Sequence, residues 1–187
     1  KAIDLKPRCQ IFNLDNLKEF EKKLIQTKFH EIAQVGGRIG LFSDMGMPLL
    51  FDPGTEWVEL ALRLGFRLRC EAGPTSWGTA CALSLWEPPF FIQGFLSQKT
   101  DLRLQQLTTL RSISAHIVLM DTPYRFQSLI RACEEIFGAK QVAFLAWEIS
   151  SKNEYYFWGT LSELQQSTLK KGLKKGEFVL ILKNSSL

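Results

Sequence analysis

The sequence predicts an α/β protein of two domains, with a mainly parallel sheet in the first and a mixed sheet in the second. Three observations predict it. Strand-like and helix-like stretches alternate through the first half of the chain, the arrangement of parallel α/β units. Consecutive strand-like stretches follow in the second half, which makes that sheet mixed. Between them stands Glu87-Pro88-Pro89, a pair of prolines that no helix can continue through. The domains are accordingly placed at 1–87 and 88–187, within the size that 187 residues allow.

Taken in order, residues 8–13 (RCQIFN) read as a strand. Apolar residues then recur at positions 14, 17, 20, 24, 25, 29 and 32, a helical spacing. Asn13 or Asp15 can cap that helix, and Gly36-Gly37 ends it. Residues 38–42 (RIGLF) form a short strand that leads into the loop SDMGMPLLFDPG. Thr55 caps a second helix, closed by Gly65, and residues 66–71 alternate as a strand with one wet face. A second loop, GPTS at 73–76, opens a helix that runs to about Trp86.

Beyond the prolines, residues 90–95 (FFIQGF) are a strand and 100–112 a helix with Leu102, Leu107 and Leu110 inward. Residues 116–120 (HIVLM) are a strand, and 124–137 a helix ended by Gly138. Residues 141–149 and 154–158 make an antiparallel pair about a turn at 150–153. Thr160 caps a short helix, and 176–183 (GEFVLILK) is the last strand.

Composition excludes little: 45% of residues are hydrophobic, 22% charged, and the net charge is +4. That excess permits a polyanionic partner without requiring one. The one concentrated basic tract, KKGLKK at 170–175, suits a solvated helix end. Cys9, Cys70, Cys81 and Cys133 have no paired spacing, and with His30 and His116 they give no zinc pattern, so no metal is expected. Cys81 and Cys133 fit a core, and unpaired thiols fit a reducing cytoplasm. No signal peptide or membrane-spanning run is read from the sequence.

The two Gly- and Pro-rich loops are where chemistry is expected. Glycine allows close backbone approach and proline fixes φ, so such loops make rigid cradles at strand ends. Asp44 directly follows a buried strand, a usual place for a ligand contact, whereas Asp52 equally suits local capping. Ser43 and Ser76 lack the GxSxG context of a nucleophile. Neither a Walker loop nor GxGxxG is present, which argues against nucleoside-triphosphate and dinucleotide chemistry. Asp121 and Glu148 are carboxylates after strands, with turn capping as their ordinary alternative. Lys99, Arg103 and Arg125 each read singly as surface charges; gathered in one cleft they would suit phosphates.

These residues carry a resemblance. SDMGMPLLFDPG resembles the SDAGTPxxxDPG signature of the bacterial 16S rRNA (cytidine-2′-O)-ribose methyltransferases, in the tetrapyrrole-methylase superfamily. GPTS with Ala80 and Leu83 is similar to GPSA…AL, GFLSQK at 94–99 to GFLPxK, and DTPYR at 121–125 to ESPHR. Glu148, Lys152 and Glu154 match parts of RELTKxxEE, and GTLSEL and KGEFVLIL resemble the closing helix and strand. The likeness is colinear from about Arg8 to Lys183.

The resemblance implies two α/β domains with S-adenosylmethionine in the cleft between them, and a homodimer. It assigns Asp44, Gly46, Pro48, Thr75, Ser76, Met120 and Ala146 to the cofactor. It assigns Lys99, Arg103, Pro123 and Arg125 to RNA of the small ribosomal subunit, and makes Glu148 and Asp121 the candidate proton acceptors. The alternatives are methylation of a tetrapyrrole or other small molecule, and a silent paralogue that binds S-adenosylmethionine or RNA without turnover. The chain departs from the pattern at Met45, Met47, Asp121 and Tyr124, and Trp147-Glu148-Ile149-Ser150-Ser151 replaces RELTK. The family's first strand and its GTPIGN loop have no counterpart in the sequence from Lys1 onward; either they lie outside it or the protein lacks them.

Overall fold

The computed structural model describes residues 10–14, 16–43, 46–71 and 73–184. It divides into two compact units, Lys1–Gly73 and Pro74–Leu187. The division falls ahead of the Pro-Pro break because the helix between them packs on the second unit's sheet, as described below.

In the first unit the described helices are α1, Glu19–Gln34, and α2, Thr55–Arg63. Ile25, Phe29 and Trp57 are its buried centre, with the Phe29 and Trp57 rings 5.9 Å apart. Helix α1 starts later than the spacing predicts. Leu14 and Leu17 pack on this cluster from a non-helical segment, and Asn16 sits at φ +52°. The start is fixed by Glu21, whose carboxylate accepts the Lys18 N–H at 2.7 Å; Asp15 lies outside the described residues. Gly54, with Thr55 as the first helical residue, occupies the cap of α2.

Among the described residues the parallel sheet expected here is not formed. Of the segments 8–13, 38–42 and 66–71, the described residues take no regular secondary structure and join no ladder. An extended segment becomes a strand only when a neighbour takes its backbone hydrogen bonds, and among the described residues none of the three finds one. Several of their apolar side chains remain outside: Ile11, Phe42 and Leu68 are all well exposed, whereas Phe12 packs on the buried centre.

The second unit holds the sheet. Its strands are β1 (Phe90–Phe95), β2 (His116–Met120), β3 (Val142–Trp147), β4 (Tyr155–Thr160) and β5 (Phe178–Leu182), in the order β1-β2-β5-β3-β4. Only β1 and β2 run parallel; the other pairings are antiparallel. The sheet is mixed, as expected. Strands β2 and β5 are buried along their whole length, which is why HIVLM and FVLIL read as unbroken apolar runs.

Helices cover both faces. On one lies α3, Ser76–Ser84, whose Ala80 packs against Val118, Met120, Phe144, Ala146, Val179 and Ile181. On the other lie α4 (Thr100–Leu110), α5 (Phe126–Phe137) and α6 (Leu161–Lys170), over Ile117, Leu119, Leu145 and Leu180. Fully buried Phe126, Leu129, Ile130 and Leu164 each contribute roughly 1.5–3 kcal/mol by leaving water. Cys133 is buried in this core, and Cys81 is half-buried on the α3 side.

One expectation about α4 is corrected. Leu102 is 47% exposed, while Arg103, at 7%, turns inward with Leu107 and Leu110. Positions 103, 107 and 110 share one helical face. On that face its charge acts on the buried carboxyl of Asp121.

Candidate functional site

Strand β5 is antiparallel to both β2 and β3, so its start lies beside their ends. Met120 and Ala146 both pair with Val179, and Trp147 pairs with Phe178. The loops after β2 and β3 and the loop before β5 therefore share one end of the sheet. The loop after β1 joins them, since β1 runs parallel to β2.

Helix α3 begins over that end. Trp86, just past α3, lies against His116 at the start of β2, with ring centroids 5.3 Å apart. The helix thus runs back from the end of β2 towards its beginning. Thr75 caps it, its Oγ1 accepting the Gly78 N–H at 3.2 Å. The N–H groups of Ser76 and Trp77 in the open first turn make no hydrogen bond among the described residues, and the buried indole N–H of Trp77 has no acceptor there. Four residues picked from the sequence, Thr75, Ser76, Met120 and Ala146, are therefore brought to one face and one end of the second unit's sheet. Ser76 is exposed, Thr75 half-buried, and Met120 and Ala146 form the floor.

Asp121, directly after β2, is enclosed. Its side chain is fully buried, and Oδ1 accepts the Thr122 N–H at 2.7 Å and lies 3.2 Å from Arg125 Nη1. Among the described residues Oδ2 has no partner, and neither does Nε of the buried Arg103. Burial pushes the Asp121 carboxyl up, opposed by the Thr122 N–H and the charges of Arg125 and Arg103. Arg125 also donates from Nη2 to the Ser97 carbonyl at 2.7 Å and reaches the Leu96 carbonyl at 3.4 Å. It thereby fastens the loop after β1 to the loop after β2. Arg103 is not the solvated surface charge that its sequence context suggested, whereas Lys99 is exposed.

Glu148 ends β3 at φ +50°. Its Oε1 accepts the Glu177 N–H at 2.7 Å, and its own N–H donates to the Glu177 carbonyl at 2.8 Å. Sequence reasoning missed this lock. Its signal is Gly176: a Cβ there would lie 2.6 Å from Glu148 Oε1 and collide with the Trp147 ring. The Glu177 carboxyl is itself pushed up by burial and by the Glu148 charge.

In the first unit, Asp44 and Met45 lie outside the described residues. Gly46 is exposed at φ +82° with open space where a Cβ would stand, and Pro48 is half-buried beside it. Asp52 accepts a short hydrogen bond from the Ser43 hydroxyl, which closes this loop across its base. Among the described residues no group of acidic, His and Cys side chains could hold a metal ion, and no helix is long and apolar enough to cross a membrane.

A mixed sheet with helices on both faces, and with the loops after β1, β2 and β3 gathered at one end, defines an α/β fold. Cobalt precorrin-4 methyltransferase, a cobalamin biosynthetic enzyme, shares it at a TM-score of 0.62 and 16% identity, over 94% of this chain and 75% of that one. Residues 10–165 match the Tetrapyrrole (Corrin/Porphyrin) Methylases, and the chain belongs to that family. Among curated relatives, ribosomal RNA small subunit methyltransferase I of Thermotoga maritima is 31% identical over 172 residues, 91% of this chain and 74% of that protein. The namesake of Leptospira borgpetersenii is 32% identical over 148 residues, 76% of this chain and 58% of its own length. That of Bacillus subtilis is 28% identical over 186 residues, 97% and 63%. The chain thus spans about three fifths of the last two relatives, 58% and 63%.

Proposed function

We propose that this protein is an S-adenosylmethionine-dependent methyltransferase that modifies a ribose 2′-hydroxyl of small-subunit rRNA. The observation that carries the reading is the convergence of Thr75, Ser76, Met120 and Ala146 around the open first turn of α3. Relatives named as ribosomal RNA small subunit methyltransferases supply the substrate class.

The residues present fit the cofactor. Unpaired N–H groups at a helix N-terminus suit a carboxylate such as that of the methionine part, and the Ser76 hydroxyl stands beside them. The apolar floor of Met120 and Ala146 suits adenosine. The resemblance also assigns Asp44, Gly46 and Pro48, of the first unit, to the cofactor. S-adenosylmethionine, when bound, supplies a methyl group already activated by a positive sulfur, so no metal is required.

The chain's own residues then have two tasks. The first is alignment, which can supply roughly 7 kcal/mol or more of a barrier. Here Arg125 serves it by joining the loops after β1 and β2, with Asp121 as its buried counter-charge. The second is to take the ribose proton, a role worth about a hundredfold or more. Glu148 suits it better than Asp121, because Glu148 is half-buried and, among the described residues, only its Oε1 is engaged, by the Glu177 N–H. Lys99 and Arg125 would meet RNA phosphates. The same family reading implies a cytoplasmic homodimer.

Calorimetry with S-adenosylmethionine tests the site. Ser76→Leu and Asp44→Ala are expected to abolish binding; unchanged affinity in both would remove the assignment. The loss of an Arg and a Lys at 147–151 favours one second reading, a paralogue that binds but does not turn over. Mass spectrometry of rRNA from a strain lacking the protein separates them, because a silent protein leaves every methyl group in place.

A further inference from the structure

The tract at 170–175, which the sequence alone presents as a solvated helix end, lies at the functional end of the second unit's sheet. It connects α6 to β5, and β5 begins beside the ends of β2 and β3. Two contacts fix it there. Gln127 Nε2 donates to the Leu173 carbonyl at 3.2 Å, and Lys175 Nζ stands 4.2 Å from the centroid of the Tyr124 ring. Lys170, Lys171, Lys174 and Lys175 are all exposed, and none forms an ion pair among the described residues. Lys171 stands over the Tyr155 ring, 4.5 Å from its centroid, and exposed Lys99 and Lys152 belong to neighbouring loops at this end.

The nearby carboxylates do not neutralise this group. Asp121 is enclosed with Arg125, and Glu148 holds the Glu177 N–H. Glu154 accepts from the Ser150 N–H and the Tyr156 hydroxyl. Glu177 is left against four lysines of the tract. Tyr124 itself is 73% exposed, a large aromatic ring that the fold does not bury. Unpaired cations beside an open ring are the combination that binds single-stranded nucleic acid: ammonium groups follow the phosphates and the ring stacks on a base.

We propose that Lys170, Lys171, Lys174 and Lys175, with Tyr124, form an RNA-docking surface that delivers an unpaired substrate strand across the end of the sheet. The proposal rests on the rRNA reading above and adds where the strand lies. It also assigns Tyr124 a stacking role at a position where the resembling motif carries His.

The test uses the full chain and two probes: a fluorescein-labelled single-stranded oligoribonucleotide of about 16 nucleotides, and purified small ribosomal subunits. Each lysine on a phosphate contributes about 0.7 to the slope of log K against log salt on single strands. Replacing all four lysines by Gln is expected to lower the slope by about 1–3; a fall below about 0.7 overturns the proposal. Tyr124→Ala is expected to weaken RNA binding about tenfold at unchanged slope, and Tyr124→Phe to restore it; an Ala variant that binds like the parent removes the stacking role. Retained oligoribonucleotide binding with lost subunit binding would assign the surface to a ribosomal protein and overturn the RNA assignment. Calorimetry with S-adenosylmethionine on the same proteins separates the two readings. If the parent binds RNA with the lysine-dependent slope but binds no S-adenosylmethionine, the methyltransferase reading fails and this surface stands.

Discussion

Arg125→Met isolates the buried charge cluster under the proposed substrate loops. The guanidinium lies 3.2 Å from Asp121 Oδ1 and 2.7 Å from the Ser97 carbonyl, and its side chain is 19% exposed. Methionine keeps much of the aliphatic stem and deletes the charge. Asp121 is then left buried with an unpartnered Oδ2 and only the more remote Arg103 charge. Removing one member of a buried pair costs about 3–5 kcal/mol. In a protein of this length that lowers Tm by roughly 10 °C. Adding Asp121→Asn removes the stranded charge, so the double variant is expected to recover much of the loss, a coupling of about 1–3 kcal/mol.

The pH dependence has a definite sign. The folded Asp121 pKa is raised, so this group's contribution is present below the ordinary value of 3.8 and is lost as pH rises through the folded value. The deficit of Arg125→Met should therefore shrink as the medium is acidified towards about pH 4. Urea melts followed by near-ultraviolet circular dichroism at neutral and acid pH measure all four proteins. A loss below about 1 kcal/mol, or strict additivity in the cycle, would show that the pair is solvated and that Arg125 does not hold the loops.

Two further outcomes are expected. His116 is buried, its Nδ1 accepts the Asn184 N–H at 2.9 Å, and burial holds its pKa below 6.5. Stability from this group is full above 6.5 and is lost as pH falls towards the folded pKa, by at most about 1.4 kcal/mol per pH unit; His116→Gln should flatten that limb in pH-resolved melts. Gly176→Ala should cost about 1–3 kcal/mol by overpacking, because Trp147 is held between Phe126 and Phe178 and cannot yield. If Glu148 takes the proton, that variant also lowers kcat more than it changes KM, since Glu148 Oε1 is displaced.

Much of the second unit was legible because its elements carry local signals. Thr160 and Glu163 form a capping box three residues apart, with Thr160 N–H on Glu163 Oε2 at 2.8 Å, and any reader of TLSE can expect a helix there. The runs HIVLM and FVLIL announce strands buried on both faces. The first unit was less legible because strands are not local objects. RIGLF has strand composition, yet its hydrogen bonds depend on a neighbour that composition does not name.

The sequence by itself determined the class of elements, the mixed character of the second sheet and the identity of the loops worth watching. Only the tertiary structure decided which side chains meet. Arg103 is inward and Leu102 outward, and the Arg103 charge there acts on the buried Asp121 of another element. Glu148 is held because Gly176, distant along the chain, leaves room for its carboxylate. Lys175 stands beside Tyr124 because β5 returns antiparallel between β2 and β3. In each case the deciding force acts between residues far apart in sequence, through charge, steric room or strand order, and no window along the chain contains both partners.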